Sequence, residues 1–314
     1  MAESLMGSVK AMRRPELADL MLFSTVTLWA LNFTVTKYVI SHGFQPIAYG
    51  CLRFGAAALV FCALAYARER SLSIQRRDLV TLAVAALVGI FLNQLSFVYA
   101  IKLTTATTVA LLFGTLPVMT GIFAFLLGIE RLGSRFWFAA ALAFGGAALV
   151  ALGSGGGVSG QLWGDLLGFA AAATWAWYTV AVSPLLKRYS TVRLSAVGFT
   201  IGAVPLFIAG APQLASQNYD LGITIWLLYA FAIVGPLVLA NLLWFGGISR
   251  VGPSRASVFA NLQPFLAAIF SLLILNEPIT RLQVAGGLAI AGAILLSRRP
   301  QAVRAAPAIE GAPR

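Results

Sequence analysis

Uncharged polar and aromatic side chains recur inside the apolar stretches of this sequence, and together they could bind a small solute. An amide buried in lipid without a partner costs roughly 1–3 kcal/mol, so we expect these groups to face a neighbouring helix or a wet cavity. The candidate binding residues are Trp29, Asn32, Arg53, Asn93, Phe97, Trp175, Tyr178, Asn241, Trp244, Asn261 and Gln263. Further candidates of the same type are Thr36, Gln94, Tyr99 and Trp177. For each amide, hydrogen bonding between helices without any contact to a solute is the alternative.

Arg53 is the only charged residue well inside an apolar stretch. A charge at that depth indicates an anchor for an anionic group such as a carboxylate. Snorkelling, in which a long basic side chain reaches the lipid headgroups from near a helix end, is the alternative. Both interpretations of Arg53 stay open, whereas snorkelling is favoured for Lys37 on the preceding stretch.

Two prolines inside apolar stretches are each followed, thirteen residues later, by a glutamate: Pro117 by Glu130 and Pro264 by Glu277. Proline removes a helix hydrogen bond, so we expect a kink in mid-helix that is either a hinge or static. The two glutamates are expected to cap helices or to fix loops. Ion pairs that gate a pathway are the alternative role for them.

The remaining ionisable residues argue against catalysis. All ten Asp and Glu residues fall in tails, loops or the ends of apolar stretches, and the sole histidine, His42, falls in a short turn. Cys51 and Cys62 lie eleven residues apart in one stretch, about 16 Å along a helix and too far for a disulfide. We therefore expect no enzyme, no cofactor, no metal site and no proton relay of buried carboxylates.

Composition defines the elements that must position these residues. The chain has 314 residues, of which 60% are hydrophobic and 10% charged, and its mean hydropathy is +0.88. Soluble domains carry about 25% charged residues, so a soluble protein, a disordered chain and a nucleic-acid-binding surface are excluded despite the net charge of +12. The sequence predicts an all-α polytopic membrane protein. Its ten predicted spans are residues 20–41, 46–67, 79–100, 105–127, 135–153, 163–184, 194–211, 222–246, 254–275 and 281–297.

The basic residues predict an orientation for these spans. If the N-terminus is cytoplasmic, 18 of the 22 Lys and Arg residues fall on the cytoplasmic side, as the positive-inside rule requires. Both termini are therefore expected in the cytoplasm.

The two halves of the chain repeat each other at a spacing of 146–148 residues. Trp29-Ala30 corresponds to Trp175-Ala176, and Asn93 through Phe97 corresponds to Asn241 through Phe245. Five spans in each half would place the second half upside down, and inverted repeats are typical of transporters. The predicted organisation is an N-terminal tail (1–19), a first five-helix repeat (20–153), a glycine-rich linker (154–162), a second repeat (163–297) and a C-terminal tail (298–314).

The motif of proline, twelve residues and glutamate, followed by a Gly/Ala-rich helix, resembles the EamA-type branch of the drug/metabolite transporter superfamily. The second copy, from Gln263-Pro264 through Asn276-Glu277-Pro278, is the better match; the first has Arg131 where the second has Pro278. The resemblance implies a secondary transporter in a bacterial inner membrane that moves a small polar metabolite, such as an amino acid, by alternating access and in the efflux direction. A channel, a non-transporting scaffold and a sugar- or nucleotide-type exchanger are the alternatives.

Two kinds of partner are expected besides the small-molecule substrate. The apolar surface requires a lipid bilayer, and no nucleic acid is expected. Small residues in the fifth and tenth spans, such as Ala139, Ala143, Gly287 and Ala291, indicate close helix packing. That packing is expected either within one chain or in a homodimer.

Overall fold

The computed structural model describes residues 14–128, 133–153, 160–251, 259 and 262–297, and every regular element in these ranges is helical. The helices of the first half are α1 (Arg14–Ser41), α2 (Pro46–Glu69), α3 (Arg76–Ala86), α4 (Asn93–Leu103), α5 (Ala106–Phe113), α6 (Leu116–Leu126) and α7 (Ser134–Gly153). Those of the second half are α8 (Gly160–Val182), α9 (Thr191–Ser216), α10 (Gly222–Ala232), α11 (Ala240–Val251), α12 (Gln263–Leu275) and α13 (Arg281–Ser297). The prediction of an all-α fold is confirmed for this part of the chain.

Six stretches of helix are long and apolar enough to cross a membrane. They are Leu17–Ser41, Pro46–Glu69, Arg76–Leu103, Gln161–Lys187, Thr191–Ser216 and Gly222–Gly247. A seventh results if α5 and α6, which meet at an angle of 41°, form one broken span. Ten spans are therefore not confirmed, although α7, α12 and α13 overlap three further predicted ones. The predicted ninth span, 254–275, is described mainly in its second half, because residues 252–258, 260 and 261 lie outside the described ranges.

Both long central helices contain a π-helical segment. The first π segment, Leu87–Leu92, joins α3 to α4, and the second π segment, Ile233–Leu239, joins α10 to α11. Their spacing equals the 146–148-residue offset of the sequence repeat, so the same irregularity occurs once in each half. Such wide turns are rare and concentrate at functional sites.

The prolines of the repeated motif begin helices and do not interrupt them. Pro117 lies in the first turn of α6 and Pro264 in the first turn of α12. A first-turn proline costs no hydrogen bond, because the backbone N–H groups there have no helical partner in any case. The predicted bend is present at Pro117, but as a 41° break between α5 and α6 and not as a kink within one helix. The part of the two prolines as hinges stays a prediction. The prolines inside described helical segments are Pro205 and Pro212 in α9 and Pro236 in the second π segment.

The helices pack in reciprocal pairs across the two halves. The first helix of each half contacts the third long helical stretch of the other: α1 packs against α11 of the stretch Gly222–Gly247, and α8 against α4 of the stretch Arg76–Leu103. Corresponding helices also pair directly, α2 with α9 and α7 with α13. This is the pattern expected when two similar halves exchange places about a twofold axis.

The α7–α13 pair shows why its helices are rich in small residues. A Cβ atom added to Gly146 would lie 2.7 Å from the carbonyl oxygen of Gly286, and one added to Gly286 would lie 2.5 Å from that of Gly146. Only glycine permits so close a crossing of two backbones. Ala139 and Ala143 are also fully buried, so close packing within one chain occurs at this pair, whereas a homodimer through the same helices stays a prediction.

Candidate functional site

A cavity of about 90 Å³ lies between the two halves. One water needs roughly 10–15 Å³ of such volume, so the cavity can hold several waters or a small solute. It is lined by Trp29, Asn32, Phe33, Arg53, Phe54, Asn93, Gln94, Phe97, Phe113, Leu116, Trp175, Pro236, Leu237, Asn241, Trp244 and Gln263. Polar and aromatic groups from both halves therefore converge on one internal space.

Nine of the eleven candidate binding residues line this cavity. Tyr178 does not: it packs behind Trp175, with 5.5 Å between the ring centroids, and it is only 2% exposed. Asn261 lies outside the described residues. Gln94 was among the further polar candidates, whereas the apolar lining residues Phe113 and Leu116 were not foreseen.

Arg53 is held inside the protein by groups on α1 and α2. Its Nη1 donates to Asn32 Oδ1 at 3.2 Å, to Tyr49 OH at 3.1 Å and to Thr36 Oγ1 at 3.5 Å. The guanidinium carbon lies 5.2 Å from the centre of the Tyr49 ring, and the residue is 4% exposed. Because the charge is buried among these groups, snorkelling does not describe it.

Arg53 forms no salt bridge with a carboxylate among the described residues, and its hydrogen-bond acceptors there are all neutral. None of its hydrogen bonds within the described chain uses Nε or Nη2, and Nε is buried without a partner. These two nitrogens form the edge that binds a carboxylate through two parallel hydrogen bonds. Within the described chain the arginine is therefore held through one nitrogen, and the edge that recognises anions makes no hydrogen bond.

Three other cavity residues carry a buried polar atom without a hydrogen-bond partner in the described structure. These atoms are Gln94 Nε2, Trp244 Nε1 and Asn241 Oδ1. Buried polar groups are nearly always paired, so unpaired ones need an explanation such as a ligand. With Arg53 Nε the set comprises three donors and one acceptor, which suits a ligand richer in acceptors than in donors.

The two π segments position the asparagines of the cavity. Asn93 directly follows the first π segment, and its Nδ2 donates to the carbonyl of Ala171 on α8 at 2.7 Å. Asn241 lies just after the second π segment, and its Nδ2 donates to the carbonyl of Leu237 at 2.7 Å. Trp29 Nε1 donates to the carbonyl of Pro236, also in the second π segment, at 3.0 Å. The second π segment thus supplies the carbonyl groups that orient Asn241 and Trp29, whereas a carbonyl of α8 orients Asn93.

Three tryptophans form an aromatic wall of the cavity. Trp29 meets Trp175 edge to face, with 5.8 Å between ring centroids, and meets Trp244 at 5.1 Å. Trp29 and Trp175 occupy corresponding positions of the two halves. Aromatic faces can receive an apolar group or a cation of a bound molecule.

Glu277 and Lys37 lie where α4 ends and α5 begins. The Glu277 carboxylate accepts hydrogen bonds from the backbone N–H of Ala106 at 3.2 Å and of Thr107 at 3.0 Å. Lys37 Nζ donates to the carbonyl of Ile101 at 2.8 Å and to that of Thr104 at 2.6 Å. The expectation that Lys37 snorkels is therefore wrong, since its ammonium caps a helix end.

These contacts make Glu277 a helix cap, and they leave its predicted part in gating untested. Glu130, its counterpart in the first half, lies outside the described residues. In the described ranges no group of three or more His, Cys, Asp or Glu residues could hold a metal ion. Asp78 and Asp165 are buried, each within the first two turns of a helix.

These features define a class: a helical, multi-pass membrane protein built from two similar halves around a cavity lined by aromatic, apolar and polar side chains. The model of the EamA-like transporter family matches residues 16–152 and again residues 162–299. The chain therefore belongs to the EamA-like transporter family and contains its repeat twice. The resemblance inferred from the sequence motifs is confirmed.

Relatives along most of the chain carry transporter names. The uncharacterized transporter YyaM of Bacillus subtilis is 28% identical over 270 residues, which cover 82% of this chain and 86% of that protein. The uncharacterized inner membrane transporter YedA of Escherichia coli is 24% identical, over 83% of this chain and 84% of its own. A solved structure titled "Crystal structure of protein" matches with a TM-score of 0.64 and 21% identity, over 90% of this chain and 96% of that one. At that identity the structural match supports the fold alone.

Proposed function

We propose that this protein is a secondary transporter that moves a small polar metabolite, an amino acid or a related compound, by alternating access and in the efflux direction. Membership of the EamA-like transporter family and the transporter names of its relatives support this proposal. The single observation that carries it is Arg53, a buried cation that lines the cavity with its anion-recognising edge unused.

The chemistry of the cavity favours a substrate that carries a carboxylate. A buried charge is costly unless it is paired, and a substrate carboxylate would supply the partner that Arg53 lacks. Gln94 Nε2 and Trp244 Nε1 would donate to further acceptors of the same molecule. Asn241 Oδ1 and the tryptophan faces would receive an ammonium group or an apolar side chain.

The topology that accompanies this function has ten spans in two inverted repeats, residues 20–153 and 163–297, with both termini in the cytoplasm. Reciprocal packing of the halves and the position of the basic residues support it. The printed name of YedA supports a bacterial inner membrane. The expected partners remain the substrate and the bilayer, with a homodimer through the small-residue helices as an addition to be tested by oligomeric state.

The test is counter-flow of labelled amino acids, sugars and nucleotides in liposomes that contain the full chain. We expect saturable uptake of a carboxylate-bearing compound that is accelerated by unlabelled substrate inside. Arg53→Gln should weaken its apparent affinity by about 30-fold or more, since loss of one partner of a buried charge pair costs roughly 2 kcal/mol or more. Arg135→Gln, which removes an exposed arginine, is the matched control and should transport normally.

Each alternative gives a different result. Flux that neither saturates nor responds to substrate inside would indicate a channel, and no flux of any compound would indicate a scaffold. Selective uptake of a sugar or nucleotide would replace the proposed substrate. If Arg53→Gln leaves the transport of every carboxylate compound unchanged, Arg53 is not the anchor.

A further inference from the structure

Seven basic residues gather at one end of the molecule, where α2 ends, α3 begins and α8 passes into α9. We name this surface the basic patch; it comprises Arg68, Arg70, Arg76, Arg77, Lys187, Arg188 and Arg193. Two acidic residues, Glu69 and Asp78, lie among them. The patch is distinct from the central cavity, since none of its residues lines that cavity.

A network of hydrogen bonds holds the two loops of the patch together. Asp78 Oδ2 pairs with Arg188 Nη1 at 2.9 Å and accepts a hydrogen bond from Tyr189 OH at 2.9 Å. Tyr189 OH in turn accepts one from the backbone N–H of Gln75 at 3.1 Å. Residues from α3, from the loop before it and from the loop before α9 are thus fixed to each other.

Both acidic residues are engaged by only two of the seven basic ones. Glu69 pairs with Arg193, whose Nη2 lies 2.7 Å from Glu69 Oε2, and Asp78 pairs with Arg188. Neither carboxylate forms a salt bridge with the other five, which are all exposed: Arg68, Arg70, Arg76, Arg77 and Lys187. Five positive charges are therefore presented on a rigid frame without a described carboxylate to neutralise them.

The helices that carry the patch also present exposed apolar side chains. Leu59 and Tyr66 on α2 are 74% and 62% exposed, and Val80 on α3 is 61% exposed. The guanidinium of Arg70 lies over the Tyr66 ring, 5.6 Å from its centre. Tyrosine next to arginine at the end of an apolar helix is typical of the level of the lipid headgroups.

We propose that the basic patch binds the phosphate headgroup of an anionic phospholipid, whose acyl chains lie along the exposed apolar faces of α2 and α3. Clusters of four to eight Lys and Arg residues beside membrane helices attract such headgroups. The adjoining apolar surface favours a phospholipid over a free phosphate ion, since the ion would use only the charges.

Native mass spectrometry of the full chain tests this proposal. The protein is released from detergent that contains equal amounts of phosphatidylglycerol and phosphatidylcholine, and the lipids retained are counted. We expect retention of phosphatidylglycerol over phosphatidylcholine. The triple variant Arg70→Gln, Arg77→Gln, Lys187→Gln should lower the affinity for phosphatidylglycerol on the order of 100-fold, at about fivefold for each basic residue.

Two control variants separate charge at this place from charge in general. Lys102→Gln with Arg281→Gln removes exposed basic residues at the opposite end of the molecule and should retain phosphatidylglycerol as the wild type does. Arg70→Lys with Arg77→Lys keeps the charge and should do the same. Because it changes two of the same positions, this variant also shows whether the protein tolerates substitution there.

Three results would overturn the proposal. Equal retention of both lipids by the wild type would mean that the patch serves only the orientation of the chain. Unchanged retention by the triple variant would place the lipid elsewhere. Loss of the lipid in the presence of equimolar inorganic phosphate would assign the patch to the free ion. None of these results bears on the counter-flow experiment, because the two sites share no residue.

Discussion

Single charges at helix ends hold the turn between α4 and α5. Lys37 lies at carbonyl groups near the end of α4, and Glu277 lies at N–H groups at the start of α5. Each charge opposes the partial charge of the helix end that it meets. Since Lys37 belongs to the first half and Glu277 to the second, the turn is also a point where the halves are joined.

Replacement of the cap at α5 should lower stability by a measurable amount. Glu277→Gln removes the negative charge and one of the two carboxylate oxygens that accept from Ala106 and Thr107. We expect a loss of about 1 kcal/mol in the free energy of unfolding, read from thermal unfolding in detergent. Asp220→Asn, at an exposed loop position, is the control and should leave the transition unchanged. A Glu277→Gln transition that coincides with the wild type would show that the cap contributes nothing.

Residue types in the sequence predicted much of the cavity, because a polar group inside an apolar stretch must face another helix or a cavity to avoid the cost of burial in lipid. Asn93 and Asn241 illustrate this success. Tyr178 shows the limit: it packs closely against Gly89 of the first π segment, where an added Cβ would lie 2.1 Å from Tyr178 Cβ. Its ring therefore fills a contact between α8 and the π segment, and residue type alone does not distinguish such a packing position from a cavity position. Phe113 and Leu116 were missed because nothing in the sequence distinguishes an apolar residue that lines a cavity from one that packs in the core or faces lipid.

At the scale of elements, the crossing of α7 and α13 depends on glycine at one position and not at its neighbour. Gly146 faces the backbone of α13, whereas a Cβ atom at Gly145 would have no atom within 4 Å. The two positions are neighbours in the same helix, and they differ in whether a side chain would contact α13.

Alanine at these two neighbouring positions should have opposite effects. Gly146→Ala forces the helices apart and should lower the free energy of unfolding by about 1–3 kcal/mol. Gly145→Ala should raise it by up to about 1 kcal/mol, because alanine favours a helix over glycine. Chemical or thermal unfolding in detergent measures both. Equal effects of the two substitutions would contradict the described crossing.

Where helices begin was harder to predict than which stretches are apolar. Pro117 and Pro264 suggested kinks within long helices, yet both start a helix. Proline is common in the first turn, so the same residue is compatible with both structures. The break at Gly114 and Thr115 decides between them for Pro117, and it depends on tertiary packing that apolar residues in sequence do not reveal.

At the scale of the whole molecule, alternating access requires the two halves to move against each other. Thr34 on α1 and Ser271 on α12 lie on opposite sides of this boundary, fully buried, with 3.3 Å between their hydroxyl oxygens. Two sulfur atoms in these places would need to approach by about 1 Å to form a bond of about 2.05 Å.

A disulfide between the halves should stop transport. In a background with Cys51→Ala and Cys62→Ala, the pair Thr34→Cys with Ser271→Cys should lose transport under a lipid-soluble oxidant and regain it with reductant. The single variants Thr34→Cys and Ser271→Cys in the same background, which cannot form the bond, are the controls and should stay active under the oxidant. Full activity of the oxidised Thr34–Ser271 pair, with the bond verified by mass spectrometry, would contradict movement between α1 and α12.

The contact between Trp29 and Trp175 shows where the two halves meet in the cavity, and the cavity is not symmetrical about that contact. Trp29 and Trp175 occupy equivalent positions of the two halves, so their contact lies on the axis that relates the halves. Two identical copies of one repeat would place each cavity residue once on either side of that axis. The position corresponding to Arg53 falls within Phe199–Ile201, where no residue is charged. Because the two halves differ in sequence at this position, a single arginine stands in the cavity without a like charge at the corresponding place of the other half. A molecule with two unlike ends would then meet a different half at each end.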